Sequence, residues 1–251
     1  EKTQINILSA IARHRKYAQR FLFSTAWNEA SAVLDVVRAV PGVKHSFIGG
    51  SLRRCKETIG DVDILATAKD AAPVMDAFVG MPGVATVIGH GPTKSSVILE
   101  SGIHVDLRVV KDEEFPAAAH YFTGSKEHNT EVRAIAKKQG YKLNEYGLYR
   151  IDTDEAVPLA TEEALFKALG MDFVPPEMRE NMGEIEAAIA HELPKLIEAD
   201  DIRGTFHCHT TYSDGHSTLE EMALAAKELG LEYLGIADHS QTAVYAGGLK
   251  I

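Results

Sequence analysis

Two cysteines in 251 residues, Cys55 and Cys208, stand in unrelated contexts. So few exclude a disulfide framework and a cysteine-based zinc site, which leaves each thiol a structural role. Long apolar runs are missing too: no stretch approaches the roughly 18 residues that a membrane-spanning helix needs. Residues 1–20 carry Arg13, Arg15, Lys16 and Arg20 and have no signal-peptide core. No membrane partner is expected, and the cytoplasm is the default compartment. Neither an internal repeat nor a low-complexity run is visible. What is present is 45% hydrophobic residues, enough at this length to bury the core of one large domain or two modest ones.

Acidic residues outnumber basic ones, for a net charge of -10, but the signs are segregated. Residues 1–56 hold ten Lys/Arg (Lys2, Arg13, Arg15, Lys16, Arg20, Arg38, Lys44, Arg53, Arg54, Lys56) against three acids (Glu1, Glu29, Asp35), a net of +7, which leaves -17 elsewhere. Such a split fits a phosphate-binding footprint and equally a solvated basic helix face.

Apolar periodicity predicts two amphipathic helices over residues 3–23 and 25–40, with Ser24 and Thr25 as caps and Pro41-Gly42 as the stop. "VKHSFIGG" and "DVDILAT" read as strands and "AAPVMDAFVGM" as a helix. "VATVIGHG", "SSVILES" and "IHVDLRVV" read as strands joined by Gly-Pro and Ser-Gly breaks. Antiparallel hairpins packed on helices make the expected class α+β. From Phe115 to about Phe173 the texture is helical, with a short hairpin near "YKLNEYGLYRI". The acid-rich stretch 175–203, opened by Pro175-Pro176, reads as a linker.

The run "IGGSLRRCKETIGDVDIL", residues 48–65, concentrates the chemistry. A strand ending in Gly49-Gly50-Ser51 and feeding a helix lets backbone N–H groups approach an anion. Arg53 and Arg54 add forked positive charge suited to phosphate oxygens. Asp61 and Asp63, two apart on a strand, point to one face, where bare carboxylates repel unless a cation lies between them. Asp106, in the later strand "HVDLRVV", is expected to come alongside by antiparallel pairing. Three hard oxygen donors suit Mg²⁺, which binds through few carboxylates plus substrate phosphates. Two such ions can activate a hydroxyl and stabilise a departing pyrophosphate. Each piece alone is common, as an ordinary turn or a solvated strand edge; the ordered combination is the signature of the nucleotidyltransferase superfamily.

The series "GGSLRR", "GDVD", "VDLR", "YFTGSKEHN" and "NEYGLYR" goes further and resembles the family X DNA polymerases, the DNA polymerase beta relatives, in their bacterial form, over residues 1–175. By that resemblance Asp61, Asp63 and Asp106 hold two catalytic Mg²⁺ (or Mn²⁺) ions, and Asp106 also orients or deprotonates a primer 3'-hydroxyl. Ser51, Arg54 and Gly60 fall at positions for the β- and γ-phosphates, and Gly50 at a nucleotide-binding position. Arg108 corresponds to an arginine that exchanges partners with a carboxylate such as Asp63 on closure. Tyr121 and Phe122, with Gly124, match the segment that packs on the incoming sugar. Asn129 matches the residue on the minor-groove edge of the incoming base, and Arg133 one that touches the template. Taken without the family, Tyr121 and Phe122 read as core residues and Gly124 as a helix breaker. Minor-groove acceptors are degenerate between A·T and T·A, so contacts there check pair geometry without choosing a base. Gapped or primed duplex DNA and deoxynucleoside triphosphates are the implied partners.

Residues 204–251 carry a second pattern: His207-x-His209 at a strand end, Asp214 five positions on, a helix capped near Ser217-Thr218, and a strand running into Asp238-His239. Histidines and a carboxylate at strand ends suit a metal site at the mouth of a β/α barrel. This resembles the start of a PHP domain, with His207, His209, Asp214 and His239 in its early motifs and Zn²⁺ or Mn²⁺ as the implied metals. The later PHP ligands are not present, so the chain is expected to be a fragment. The expected layout is a helical DNA-binding segment over 1–22, a nucleotidyltransferase palm with a mixed or antiparallel sheet over 23–115, and a nucleotide-selecting subdomain over 116–175. An acidic linker over 176–203 and the truncated PHP start over 204–251 complete it.

Overall fold

The computed structural model describes residues 20–249, so the segment 1–22 and the helix expected from residue 3 lie outside it as far as Gln19. The chain divides into two compact units at Leu193 and Pro194.

The first unit opens with strand β1 (Phe21–Leu22) and helix α1 (Phe23–Arg38). Ala26, Ala30, Val33, Leu34 and Val37 recur at helical spacing and form one buried stripe. Ser24 and Thr25 lie inside the first turn instead of capping it, and Leu22 takes the cap position without a side-chain bond. The phenyl ring of Phe23 stacks on Trp27 with centroids 5.7 Å apart, and the helix begins two residues earlier than the hydroxyls suggested.

Then come β2 (Ser46–Ile48), α2 (Gly50–Arg53), β3 (Thr58–Ile59), β4 (Asp61–Thr67), α3 (Ala72–Gly80), β5 (Val84–His90), β6 (Lys94–Leu99) and β7 (His104–Val110). Five strands form one sheet in the order β2-β4-β7-β6-β5. Hairpins β5-β6 and β6-β7 are antiparallel as expected, but β4 and β7 run parallel, with Asp63 opposite Asp106. This corrects the expected antiparallel approach of Asp106. Because β7 returns from the far side of β6, it enters beside β4 in the same direction, and α3 with the β5-β6 hairpin forms the crossover.

Period-two alternation then sorts the residues. Val62, Ile64, Ala66, Val105, Leu107 and Val109 join α1 and α3 in the main core with Val74, Met75 and Phe78. Asp61, Asp63, Leu65, Asp106 and Arg108 face the other way. On that face Leu65 and Val110 are covered by Ala118, Phe47, Phe115 and Phe122. Each fully buried large apolar side chain contributes about 1.5–3 kcal/mol, so the sheet position of the aspartates is held by the core on the opposite face.

The helical half contains α4 (Phe115–Thr123), α5 (Lys126–Lys138), the hairpin β8 (Tyr141–Asn144) and β9 (Gly147–Arg150), β10 (Ala156–Val157), α6 (Glu162–Ala168) and α7 (Glu184–Ala190). Its core gathers Val132, Leu143, Leu148, Leu165, Phe166, Val174, Ile185 and Ala188. The stretch read as a linker therefore contributes to this core up to Leu193. Arg179 is 0% exposed, with its guanidinium 5.0 Å and 5.1 Å from the ring centres of Phe166 and Phe173. Its NH1 is 2.5 Å from Glu162 Oε1. Buried pairing neutralises the charges that made the stretch look solvated.

The second unit has β11 (Gly204–Cys208), α8 (Leu219–Glu228) and β12 (Tyr233–Ile236), with the two strands parallel. Thr218 caps α8 in a reciprocal box with Glu221, as the sequence indicated. Among the described residues, no helix is long and apolar enough to cross a membrane.

Candidate active site and metal cluster

Strand β2 ends at Ile48, and the chain turns through Gly49 into the four-residue helix α2. The turn depends on small residues. A Cβ on Gly49 would lie 2.8 Å from the Phe122 carbonyl oxygen, and one on Gly50, at φ +59°, 2.4 Å from Asp63 Oδ2. Behind this turn lies a cavity of about 360 Å³. Gly50, Ser51, Arg54, Asp61 and Asp63 line one wall, and Tyr121, Phe122, Gly124, Asn129 and Arg133 the other. Thus ten residues singled out from two separate stretches share one space. Thr123, Ser125 and Lys126 also line it; they sit inside the "YFTGSKEHN" run but carried no signal of their own.

Asp106 lies beside Asp63 in the sheet and is held at both oxygens. The Ser96 hydroxyl donates to Oδ1 at 2.6 Å, and Lys94 Nζ is 2.7 Å from Oδ2. His104 Nε2 lies 3.5 Å from Oδ1. Burial, then the charges of Asp61 and Asp106, push the Asp63 carboxyl up to about 7, while Lys94 and Arg54 pull it down. Crowded carboxylates with this shift suit a divalent cation, which removes the repulsion that the two cationic side chains leave uncompensated.

The remaining expected residues are placed as follows. Arg108 lies with its guanidinium 4.9 Å from the Phe122 ring centre and forms no ion pair with Asp63, because Phe122 offers its face on the same side of the sheet. Gly60 sits beside Arg20, whose NH1 would be 3.4 Å from a Cβ there. Asn129 Nδ2 donates to the Tyr121 carbonyl at 2.8 Å, while its Oδ1 is buried without a partner among the described residues. Arg54 Nε donates to Glu180 Oε1 at 2.9 Å and its NH1 to the Thr123 carbonyl at 2.6 Å. Burial works to raise the Glu180 carboxyl, but Arg54 and then Lys56 hold it below its ordinary range.

Beneath the cavity wall a polar cluster is buried. Arg53 reaches Glu162 Oε2 at 2.8 Å, so Glu162 is clamped between Arg53 and Arg179. His128 Nδ1 lies 2.8 Å from Glu184 Oε1. Burial lowers the pKa of His128 despite that bond, and lowers that of His120 further, with the Arg179 charge adding to it. Sequence reasoning missed these partners, which are up to 109 residues apart and have no local motif.

In the second unit, ligand atoms of His209, Asp214 and His239 all lie within 4.8 Å of one another. His209 Nδ1 is 2.8 Å from Asp214 Oδ1, and His239 Nε2 is 3.5 Å from Oδ2. Two imidazoles and a carboxylate fit a transition-metal donor set. His207 does not join them, contrary to expectation. It is exposed, with φ +64° at a break in strand register, and only stacks on His209 with ring centres 5.2 Å apart.

The acid-lined cavity of the first unit and the histidine cluster beyond the parallel strands of the second each fall in a stretch that comparison with known proteins matches. The DNA polymerase beta thumb model matches residues 118–180 and the PHP domain model residues 205–246. The DNA polymerase/3'-5' exonuclease PolX of Bacillus subtilis (strain 168) is 36% identical over 251 residues, covering 99% of this chain and 44% of the relative. A Repair DNA polymerase X of African swine fever virus (isolate Tick/Malawi/Lil 20-1/1983) is 32% identical over 136 residues, which is 52% of this chain and 78% of the viral protein. DNA polymerase lambda of Rattus norvegicus is 29% identical over 167 residues, 52% of this chain and 28% of the relative. The chain belongs to the family X DNA polymerases. It spans less than half the length of the Bacillus relative.

Proposed function

We propose that this chain is a template-directed DNA polymerase that adds deoxynucleotides to a primer 3'-hydroxyl, in gap filling during DNA repair. The observation that carries the reading is the single cavity joining Gly50, Ser51 and Arg54 to the Asp61-Asp63 edge and to Tyr121, Phe122, Asn129 and Arg133. In this reading Asp61, Asp63 and Asp106 hold Mg²⁺ or Mn²⁺, which supplies charge neutralisation for the attacking and leaving oxygens. Ser51, Arg54 and the backbone at Gly50 and Gly60 bind the triphosphate. Asp106, held at both oxygens by Ser96 and Lys94, takes or orients the proton of the 3'-hydroxyl. Tyr121 and Phe122 pack on the sugar, Asn129 and Arg133 read the nascent pair and template, and Arg108 leaves Phe122 for a carboxylate on closure. Residues 23–115 act as the palm, and the nucleotide-selecting half extends from 116 through Leu193. The DNA and deoxynucleoside triphosphates this requires imply a cytoplasmic setting.

The test is single-nucleotide incorporation on a one-nucleotide-gapped duplex with Mg²⁺ or Mn²⁺, comparing the wild type with Asp106→Ala. Templated extension that the substitution reduces by about 10³-fold or more supports the reading. Extension unaffected by the substitution overturns it.

A second reading rests on the His209-Asp214-His239 cluster, and the Bacillus relative's name includes a 3'-5' exonuclease. A PHP-type phosphoesterase centred there, with Zn²⁺ or Mn²⁺, predicts metal-dependent nuclease activity that His209→Ala removes and Asp106→Ala keeps. His207 supplies a further ligand only if the strand break around it rearranges.

A further inference from the structure

Arg54 borders the cavity, yet most of its side chain is taken up by the protein, with only 12% exposed. Its Nε donates to Glu180 Oε1 at 2.9 Å and its NH1 to the Thr123 carbonyl at 2.6 Å. The same Glu180 oxygen lies 3.3 Å from Lys56 Nζ. The turn at Gly124 is shaped around this guanidinium, since a Cβ there would come within 3.0 Å of Arg54 NH1. Glu180 itself has a fixed place. The Arg179 carbonyl accepts from Ser125 N at 3.0 Å, and Asn181 N and Met182 N donate to the Glu184 carboxylate at 2.8 Å and 2.7 Å. Two of the guanidinium's three nitrogens are thus committed, and NH2 has no protein acceptor among the described residues.

We propose that Glu180 is a positioning residue for the nucleotide's phosphates, acting through Arg54, whose remaining donors it keeps aimed into the cavity. The inference rests on the polymerase reading above. Two physical effects of Glu180 have opposite signs. Its negative charge opposes a triphosphate nearby, whereas its hold on Nε removes the orientational freedom that Arg54 would otherwise lose on binding. The Coulomb effect is weakened because Lys56 shares the carboxylate and stands in solvent. The loss of a charge-assisted hydrogen bond that fixes a fork-shaped donor is the larger effect.

The experiment measures the deoxynucleotide KM and kcat of the full chain on a one-nucleotide-gapped duplex, and calorimetric binding of inorganic tripolyphosphate. Variants are Glu180→Ala, Glu180→Gln and Glu180→Asp. Removing the acceptor in Glu180→Ala is expected to raise KM and weaken tripolyphosphate binding about tenfold, with kcat within about twofold. Glu180→Gln keeps an acceptor without charge and is expected to stay within about threefold of wild type. Glu180→Asp keeps the charge but falls short of Nε, and is expected to follow Glu180→Ala; it decides the matter should Glu180→Ala not fold. Unchanged or tighter binding in Glu180→Ala and Glu180→Asp overturns the proposal, as does a fall in kcat at constant KM. A wild type that incorporates no nucleotide overturns the polymerase reading instead, and tripolyphosphate binding then decides the role of Glu180 alone.

Discussion

Asp63 is the residue whose environment most constrains the site. Its carboxyl, raised to about 7 by burial and by Asp61 and Asp106, is a cost to the metal-free fold that grows as pH rises from the ordinary carboxylate range toward 7 and is complete above it. Replacing it by Asn is expected to stabilise the metal-free chain at pH 8, on the order of 2 kcal/mol. The same change removes most of the rise in Tm that Mg²⁺ gives the wild type, and differential scanning calorimetry with and without the ion checks both. Gly50→Ala tests the neighbouring turn: a Cβ 2.4 Å from Asp63 Oδ2 at φ +59° forces a shift, at a cost of about 1–3 kcal/mol. Urea unfolding measures it, and incorporation activity is expected to fall with it. Ser96→Ala strips one donor from Asp106. It is expected to lower kcat several-fold at unchanged nucleotide KM, with Ser96→Thr restoring it. At this scale the sequence was informative where chemistry is local. Asp61 and Asp63 declare themselves by spacing, but Ser96 and Lys94 approach Asp106 only through strand register, and His207 left its cluster through a backbone break that no pattern announced.

Helices α4, α5 and α6 meet the segment 175–190 around charges that are buried but paired. Acid-rich composition and Pro175-Pro176 made that segment look solvated, because hydrophobic patterning weighs each residue alone and Arg179, Glu162, Glu184 and His128 are buried only as partners, with the half-buried Arg53 completing the Glu162 clamp. By contrast α3, the β8-β9 hairpin and the β5-β6-β7 meander were legible, since each closes on turn residues and a period within a few residues. The buried histidines carry the pH dependence of this half. Burial holds both His120 and His128 below the ordinary imidazole pKa of 6.5. Their contribution is therefore fully present above about pH 6.5 and is lost as pH falls below it, since the unfolded chain takes up protons that the fold excludes. Each adds a slope of about 1.4 kcal/mol per pH unit. Urea unfolding between pH 5 and 8 is expected to show stability falling steeply on the acid side. His120→Phe, placed against Phe166, is expected to flatten that limb by about one proton, and an unchanged limb would show that His120 does not titrate on unfolding.

The two units differ in how much core they possess, and this sets their separate stabilities. Residues 20–193 bury Phe78, Phe166, Leu52, Ile64, Leu107 and Leu148 to within 2% of full burial, whereas among the described residues of the second unit the buried apolar ones are Ala226, Ala243 and Ala246. Phe206, Val244 and Tyr245 there are 72%, 84% and 88% exposed. A parallel pair of strands with one helix buries little apolar surface, and small cores are marginal. Amide exchange is accordingly expected to be fast across 204–236 and slow across 59–66 and 104–110, since protection follows local contact density. Zn²⁺ or Mn²⁺ is expected to slow exchange around His209, Asp214 and His239, because a ligand that binds only the ordered cluster stabilises it by mass action, and His209→Ala is expected to abolish that slowing. Among the described residues, the core clusters of the first unit are built from residues up to Leu193. A chain ending at Leu193 is therefore expected to keep the slow amides and the main melting transition of the whole. Loss of either would mean that the second unit, despite its small core, supports the first.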